Sequence, residues 1–146
     1  VVSRSLDFPI PDALKAGGRK AVVFTTADAD SRRVKAIEAQ GIQVVVAGEK
    51  TVEGAILVQR MRELGYRVVY SGAGPQMMHM LVTGGVLNRL YLTHANRILG
   101  GDPYAGVVDG TAMDPPANFK LHSLYLDAAG LNGLGQLFAA YDCQPQ

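Results

Sequence analysis

The stretch Arg67–Gly101, RVVYSGAGPQMMHMLVTGGVLNRLYLTHANRILGG, decides how this chain folds. Val68, Val69 and Tyr70 are strand formers, Ser71, Gly72, Ala73 and Gly74 are small turn residues, and Pro75 opens a run carrying Met77, Met78, Leu81 and Val82 at helical spacing. The order is strand, tight glycine turn, helix. Gly72 and Gly74 allow backbone conformations and close approaches that a β-carbon blocks, and Pro75 suits the first helical position, where a missing N–H costs nothing. Such a turn aims free N–H groups and the positive end of the helix dipole at its guest, for which a phosphate is the natural choice. The spacing is not G-x-G-x-x-G and no P-loop lysine and hydroxyl follow, so taken alone the turn is an ordinary glycine-rich connection.

Upstream of this stretch the same alternation repeats. Lys20–Thr25 (KAVVFT) is a short apolar strand, and Thr26, Ala27 and Asp28 start a helix with Val34, Ala36 and Ile37 on one side and Gly41 as its stop. Ile42–Ala47 (IQVVVA) is a second strand, and Val52–Leu64 a second helix that buries Ile56, Leu57, Met61 and Leu64 and ends at Gly65. Arg67–Ser71 then reads as the third strand, Gln76–Thr83 as the third helix and Arg89–His94 as the fourth strand. Strands that alternate with helices of this length imply a mostly parallel sheet covered on both faces. At the very start, Val1 and Val2 read as a strand end that runs into Ser3, Arg4 and Ser5, before Pro9 and Pro11 hold the chain extended. Two hydroxyls and a guanidinium within three residues can hold a phosphate by charge-assisted bonds, although a solvated strand end has the same composition.

Downstream the rhythm changes. Residues 95–117 are rich in Gly, Asp and Pro and read as a long functional or interface loop, after which Phe119–Asp127 and Gly135–Asp142 form an antiparallel hairpin. The expected fold is therefore α/β with a mixed, mostly parallel sheet, flanking helices and a C-terminal antiparallel hairpin. No linker divides residues 1–146, which read as one domain.

Whole-chain quantities exclude several classes. With 146 residues, 48% hydrophobic and 18% charged, the chain can bury a core and needs neither disorder nor a disulfide framework. A net charge of +1 with both signs interspersed gives no broad footprint for nucleic acid or a membrane surface, so an anion must be met locally. The single cysteine, Cys143, reads as a bystander thiol and suits a cytoplasmic setting. No apolar run approaches the roughly 18 to 20 residues of a membrane helix.

The segments VVSRSLDFPIP, KAVVFTTADAD, the Gly72–Pro75 turn, LVTGGVLNRLYLTHANRILGG and the final hairpin, taken in order, resemble the RibD C-terminal family, the reductase domain of riboflavin biosynthesis. RLYLTH followed by Gly100 and Gly101 is the most specific part. The resemblance implies a dihydrofolate reductase-like fold, of which the family's opening strand, helix and strand would precede Val1. It also implies NADPH as cofactor, with Ser3, Arg4 and Ser5 near the adenosine 2′-phosphate, Thr25 and Thr26 beside the adenosine, and Gly72, Ala73, Gly74, Pro75 and Gln76 facing the pyrophosphate. Where the family turn reads Glu-Gly-Gly-Pro this chain has Gly72-Ala73-Gly74-Pro75, so Ala73 would be strained if its position required positive φ.

No catalytic residue is assigned, because the family's substrate-contacting and proton-handling groups lie largely before Val1. No metal set is seen. His79 reads as a core or dimer-contact residue, His94 as a packed structural histidine, His122 as an exposed strand residue, and Met77, Met78 and Met80 as adaptable apolar filler. Asp102, Asp109 and Asp114 read as loop turn residues that could also meet a polar substrate. Two functions remain in view: an NADPH-dependent reductase of a small heterocyclic or ribosyl-pyrimidine substrate, and a non-catalytic nucleotide-binding or dimerisation module of the same fold, a homodimer in either case.

Overall fold

The structure is a computed structural model that describes residues 1–12, 18, 20–103 and 106–144. The chain forms two compact units, Val1–Tyr70 and Ser71–Gln146.

In the first unit, strand β1 (Val22–Thr25) is buried along its whole length. It pairs in parallel with β2 (Gln43–Val46), in a register running from Val22 opposite Gln43 to Thr25 opposite Val46. On the other side of β1 the first three residues run alongside it. Val2 bridges Phe24 in parallel, the Phe24 N–H donates to the Val1 carbonyl at 2.8 Å, and the Ser3 N–H donates to the Phe24 carbonyl at 3.0 Å. Helix α1 (Ser31–Glu38) joins the two strands, and helix α2 (Gly54–Glu63) follows β2. Leu6, Val23, Ile37 and Ile42 form the core, with Phe8, Ile10, Val34 and Val44 packed against it.

Helix α1 begins later than its sequence suggests. Thr26 and Asp28 bond each other through their side chains, which spends them on a turn, and the helix starts only where the Asp30 carboxylate accepts from the Arg32 N–H at 2.8 Å. The turn after β1 is then tied to the turn after β2. Ala27 N–H donates to Gly48 O at 2.9 Å and Asp28 N–H to Glu49 O at 3.3 Å. Gly48 has φ +153, and a β-carbon there would overlap the Thr51 carbonyl, so this position admits only glycine.

In the second unit, helix α3 (Pro75–Thr83) has Gly74 as its N-cap and Pro75 in its first turn. It is followed by β3 (Arg89–Ala95), β4 (Phe119–Asp127) and β5 (Gln136–Cys143), which form an antiparallel sheet of order β3-β5-β4. A bulge between Leu121 and Ser123 leaves His122 out of the ladder. The β4–β5 connection is held by Asp127, whose carboxylate accepts from the backbone N–H groups of Ala129 and Gly130 and from the Gln136 amide. The C-terminal hairpin thus forms as expected, and the mixed α/β character is realised as a parallel pair in one unit and an antiparallel sheet in the other.

One expected strand does not form. Arg67–Ser71 has strand-forming residues but no ladder with any of the described residues, and Val68, Val69 and Tyr70 are 73%, 53% and 82% exposed. Propensity describes a fit to a half-buried pleated surface, and a segment that meets no neighbouring strand cannot realise it. The long connection 95–117 has no regular element beyond Ala95 among its described residues; residues 104 and 105 lie outside them.

Candidate functional site

Two local arrangements, one in each unit, contain the residues singled out in the sequence. In the first unit a shallow cleft of about 630 Å³ opens where the chain leaves the Val1–Ser3 segment and β1, lined by Arg4, Ser5, Asp28, Ala29, Asp30 and Arg33. Arg4 is held loosely, its Nη2 lying 3.6 Å from Asp28 Oδ2, and its side chain is 65% exposed. That distance is an ion pair without a hydrogen bond, so the guanidinium keeps its donors available. Arg33 is more committed, donating from Nη1 to the Ser5 carbonyl at 2.8 Å and pairing with Asp7 at 3.6 Å.

Ser3 and Ser5 shape the cleft by accepting backbone bonds. Ser3 Oγ accepts from the Leu6 N–H at 3.0 Å and Ser5 Oγ from the Asp7 N–H at 3.2 Å. These two turns bring Leu6 into the core at φ 54, a left-handed backbone that a leucine adopts only under such constraint. Each hydroxyl still has its own proton to donate.

Thr25 and Thr26 are each 1% exposed and do not line the cleft; Thr26 reaches it only through its bond to Asp28. The Thr26 hydroxyl donates to Asp28 Oδ1 at 2.6 Å, whereas Thr25 Oγ1 is buried with no hydrogen-bond partner. The Thr26 bond, reinforced by Arg4, holds the Asp28 carboxyl below its ordinary pKa. Asp28 was not among the sequence candidates; its two-residue spacing from Thr26, typical of a side-chain turn, was the available signal.

In the second unit, the Gly72–Gln76 stretch leads into α3 as expected. Ala73 does not have positive φ, and so carries no backbone strain of that kind. A β-carbon at Gly72 or Gly74 would meet nothing within 4 Å. The chain's own packing therefore does not require glycine at either position. A segment of the long loop lies along this helix. Asp109 N–H donates to the Pro75 carbonyl at 3.3 Å, and the Gln76 amide donates to Asp109 Oδ2 at 3.3 Å. His79 Nε2 lies 2.9 Å from the Thr111 carbonyl, which can only accept, so this nitrogen bears the proton. His79 is thus a latch for the loop, half-buried within its own unit.

A further cluster lies on the sheet of the second unit. Arg89 Nε donates to Asp142 Oδ1 at 2.8 Å, and His122 Nδ1 lies 3.0 Å from Asp142 Oδ2. Arg89 also comes within 3.4 Å of the same His122 nitrogen, which cannot accept from arginine while donating to the carboxylate. The shorter, charge-assisted bond to Asp142 decides between them. Arg89, then His122, draws the Asp142 pKa down. His94 is exposed rather than packed, because the chain places it near the open end of edge strand β3. Among the described residues no three His, Cys, Asp or Glu side chains converge as a metal ion would require. No helix among them is long and apolar enough to cross a membrane.

The donors at the first cleft fit a phosphate monoester: an exposed guanidinium, the Ser5 hydroxyl and a second arginine, opposed by two carboxylates. A reductase of Methanothermobacter thermautotrophicus, 2,5-diamino-6-ribosylamino-4(3H)-pyrimidinone 5′-phosphate reductase, is 29% identical over 76 residues, which are 52% of this chain and 35% of that protein. A solved structure of a pyrimidine reductase-like protein from Corynebacterium diphtheriae superposes with a TM-score of 0.71 at 18% identity, over 99% of this chain and 60% of that one. This chain therefore spans about a third of the curated relative and three fifths of the solved one, and the second likeness establishes the dihydrofolate reductase-like fold. The sequence pattern of the RibD C-terminal domain matches residues 1–131, and the chain belongs to that family.

Proposed function

We propose that the chain works as an NADPH-dependent reductase of the riboflavin-biosynthesis type, acting in the cytoplasm on a small heterocyclic or ribosyl-pyrimidine substrate. A 5-amino-6-(5-phosphoribosylamino)uracil is the model for such a substrate. The observation that carries the reading is Arg4, a loosely paired guanidinium at the mouth of a cleft with Ser5 and Arg33, in a chain of the RibD C-terminal family. The name of the Methanothermobacter relative supports reduction of a pyrimidine phosphate.

The residues are assigned unit by unit. In the first, Arg4 would take the adenosine 2′-phosphate by a forked pair of charge-assisted bonds, with the Ser5 hydroxyl as a further donor. Ser3 holds the turn before Leu6 and Thr26 holds Asp28. In the second, the first-turn N–H groups after Gly74 and the open space over Gly72 and Gly74 suit a phosphate group. When bound, NADPH supplies a hydride to the carbon of a C=N or C=O bond, whose heteroatom takes a proton, and leaves as NADP⁺.

A calorimetric titration of the folded chain with NADPH, run beside NADH, tests this. Saturable NADPH binding with turnover of a pyrimidine substrate is expected; a folded chain that binds neither nucleotide overturns the reading. A second reading, a non-catalytic module that pairs with another copy of itself, is favoured by Tyr91, Tyr125 and Phe138, which the register places on one face of the three-stranded sheet and which are 59%, 68% and 42% exposed. A dimer indifferent to nucleotide in sedimentation would select it.

A further inference from the structure

The cleft of the first unit is not simply basic. Asp28 and Asp30 line it together with Arg4 and Arg33. Asp30 is spent on capping α1, but Asp28 is held in a different way. Its Oδ1 accepts from Thr26, a residue only 1% exposed, at 2.6 Å, and its backbone N–H donates to Glu49 O at 3.3 Å. The carboxylate is therefore fixed from two sides, and its other oxygen, Oδ2, faces Arg4 at 3.6 Å.

A phosphate seated on Arg4 would come within a few ångström of Oδ2, where two negative charges repel. A ribose hydroxyl in the same place would instead donate to that oxygen. In Rossmann-type dinucleotide sites, an acid selects the free 2′-hydroxyl and an arginine accommodates the 2′-phosphate, and the same charge logic applies wherever the two groups meet. Here one of each faces the other across one cleft.

We propose that Asp28, clamped by Thr26, sets the cleft's discrimination between a 2′-phosphorylated and a 2′-hydroxylated adenine dinucleotide, acting as a fixed counterweight to Arg4. The inference rests on the reductase reading above. The pair geometry favours this over a purely supportive role. Arg4 is loosely paired and exposed, so Asp28 contributes little to its placement, whereas its fixed charge acts on any phosphate that enters.

The test is calorimetry of the chain and of Asp28→Asn with NADPH and with NADH. The asparagine form is expected to bind NADPH about 3- to 10-fold more tightly, as removal of one repulsive charge in a solvated cleft implies. NADH binding should be unchanged or weaker, so that the ratio of the two affinities rises. Asp28→Ser, which also removes the charge, repeats the comparison should the asparagine form fold poorly. Binding that persists with an unchanged or reduced ratio overturns the role of Asp28 and leaves the reductase reading standing. Absence of binding of either nucleotide to the folded chain overturns that reading and the inference with it.

Discussion

His79 on α3 donates its Nε2–H to the carbonyl of Thr111, 32 residues further along the chain, at 2.9 Å. The loop backbone reaches the imidazole because residue 110 is glycine; a β-carbon on Gly110 would overlap the ring. Gly110→Ala should therefore lower stability by about 1–3 kcal/mol, the usual cost of overpacking, in urea denaturation. Combining it with His79→Ala should cost clearly less than the sum of the two single changes, because the second removes the obstacle that the first meets. Strict additivity would show that the loop does not lie on the ring.

Arg4→Ala should weaken NADPH binding by about 10- to 100-fold, the worth of a charge-assisted bond, and change NADH binding little. Equal loss for both nucleotides would place the 2′-phosphate elsewhere.

Gly48→Ala should be among the most damaging single changes in the first unit. The new methyl would overlap the Thr51 carbonyl, which is rigid backbone, at a φ of +153 that an L-residue avoids. A loss of more than about 2 kcal/mol in chemical denaturation, or failure to fold, is expected.

Asp30→Ala should remove the bond that starts α1 and cost about 1 kcal/mol. An unchanged urea midpoint would show that the helix does not depend on this cap.

Acid stability should depend on Asp142. Arg89, followed by His122, depresses its pKa in the folded chain, so the unfolded chain binds the proton more readily. The stabilisation is present above the unfolded carboxylate pKa, near about 4, and is lost as pH falls through the lower folded value. Asp28, Glu63 and Asp127 shift in the same direction and lose stability in the same window. The urea midpoint should fall below about pH 4, and the fall should be shallower in Asp142→Asn. Equal pH profiles for the two chains would show that the cluster with Arg89 does not form in solution.

Much of this arrangement was legible in the sequence where a pattern is local. The apolar run at β1, the helix that ends at Gly65, Pro75 at the start of α3 and the Phe119–Asp127 strand all lie where periodicity and turn residues place them. The resemblance carried by RLYLTH and its neighbours supplied the family. What escaped depends on contacts remote in sequence. Arg67–Ser71 reads as a strand because propensity is local, but pairing is not. The union of Arg89, His122 and Asp142 brings together residues from three strands through a bulge that no short pattern announces. At the cleft, Arg4 and Ser5 were visible as donors, whereas Asp28 acquires its meaning only once β1 lies beside the Val1–Ser3 segment.

Val68, Val69 and Tyr70 are exposed, with strand-forming side chains and no ladder partner among the described residues. Such a segment is a template for adding a strand from another molecule. The chain's net charge of +1 at pH 7 offers little mutual repulsion between copies near neutrality. Colloidal behaviour and folding stability therefore pull in opposite directions with pH. Acid raises the positive charge that keeps copies apart while it dismantles the carboxylate pairs, so the best solvent for concentrating this chain lies on the mildly acidic side of neutral, above the window in which Asp142 is protonated.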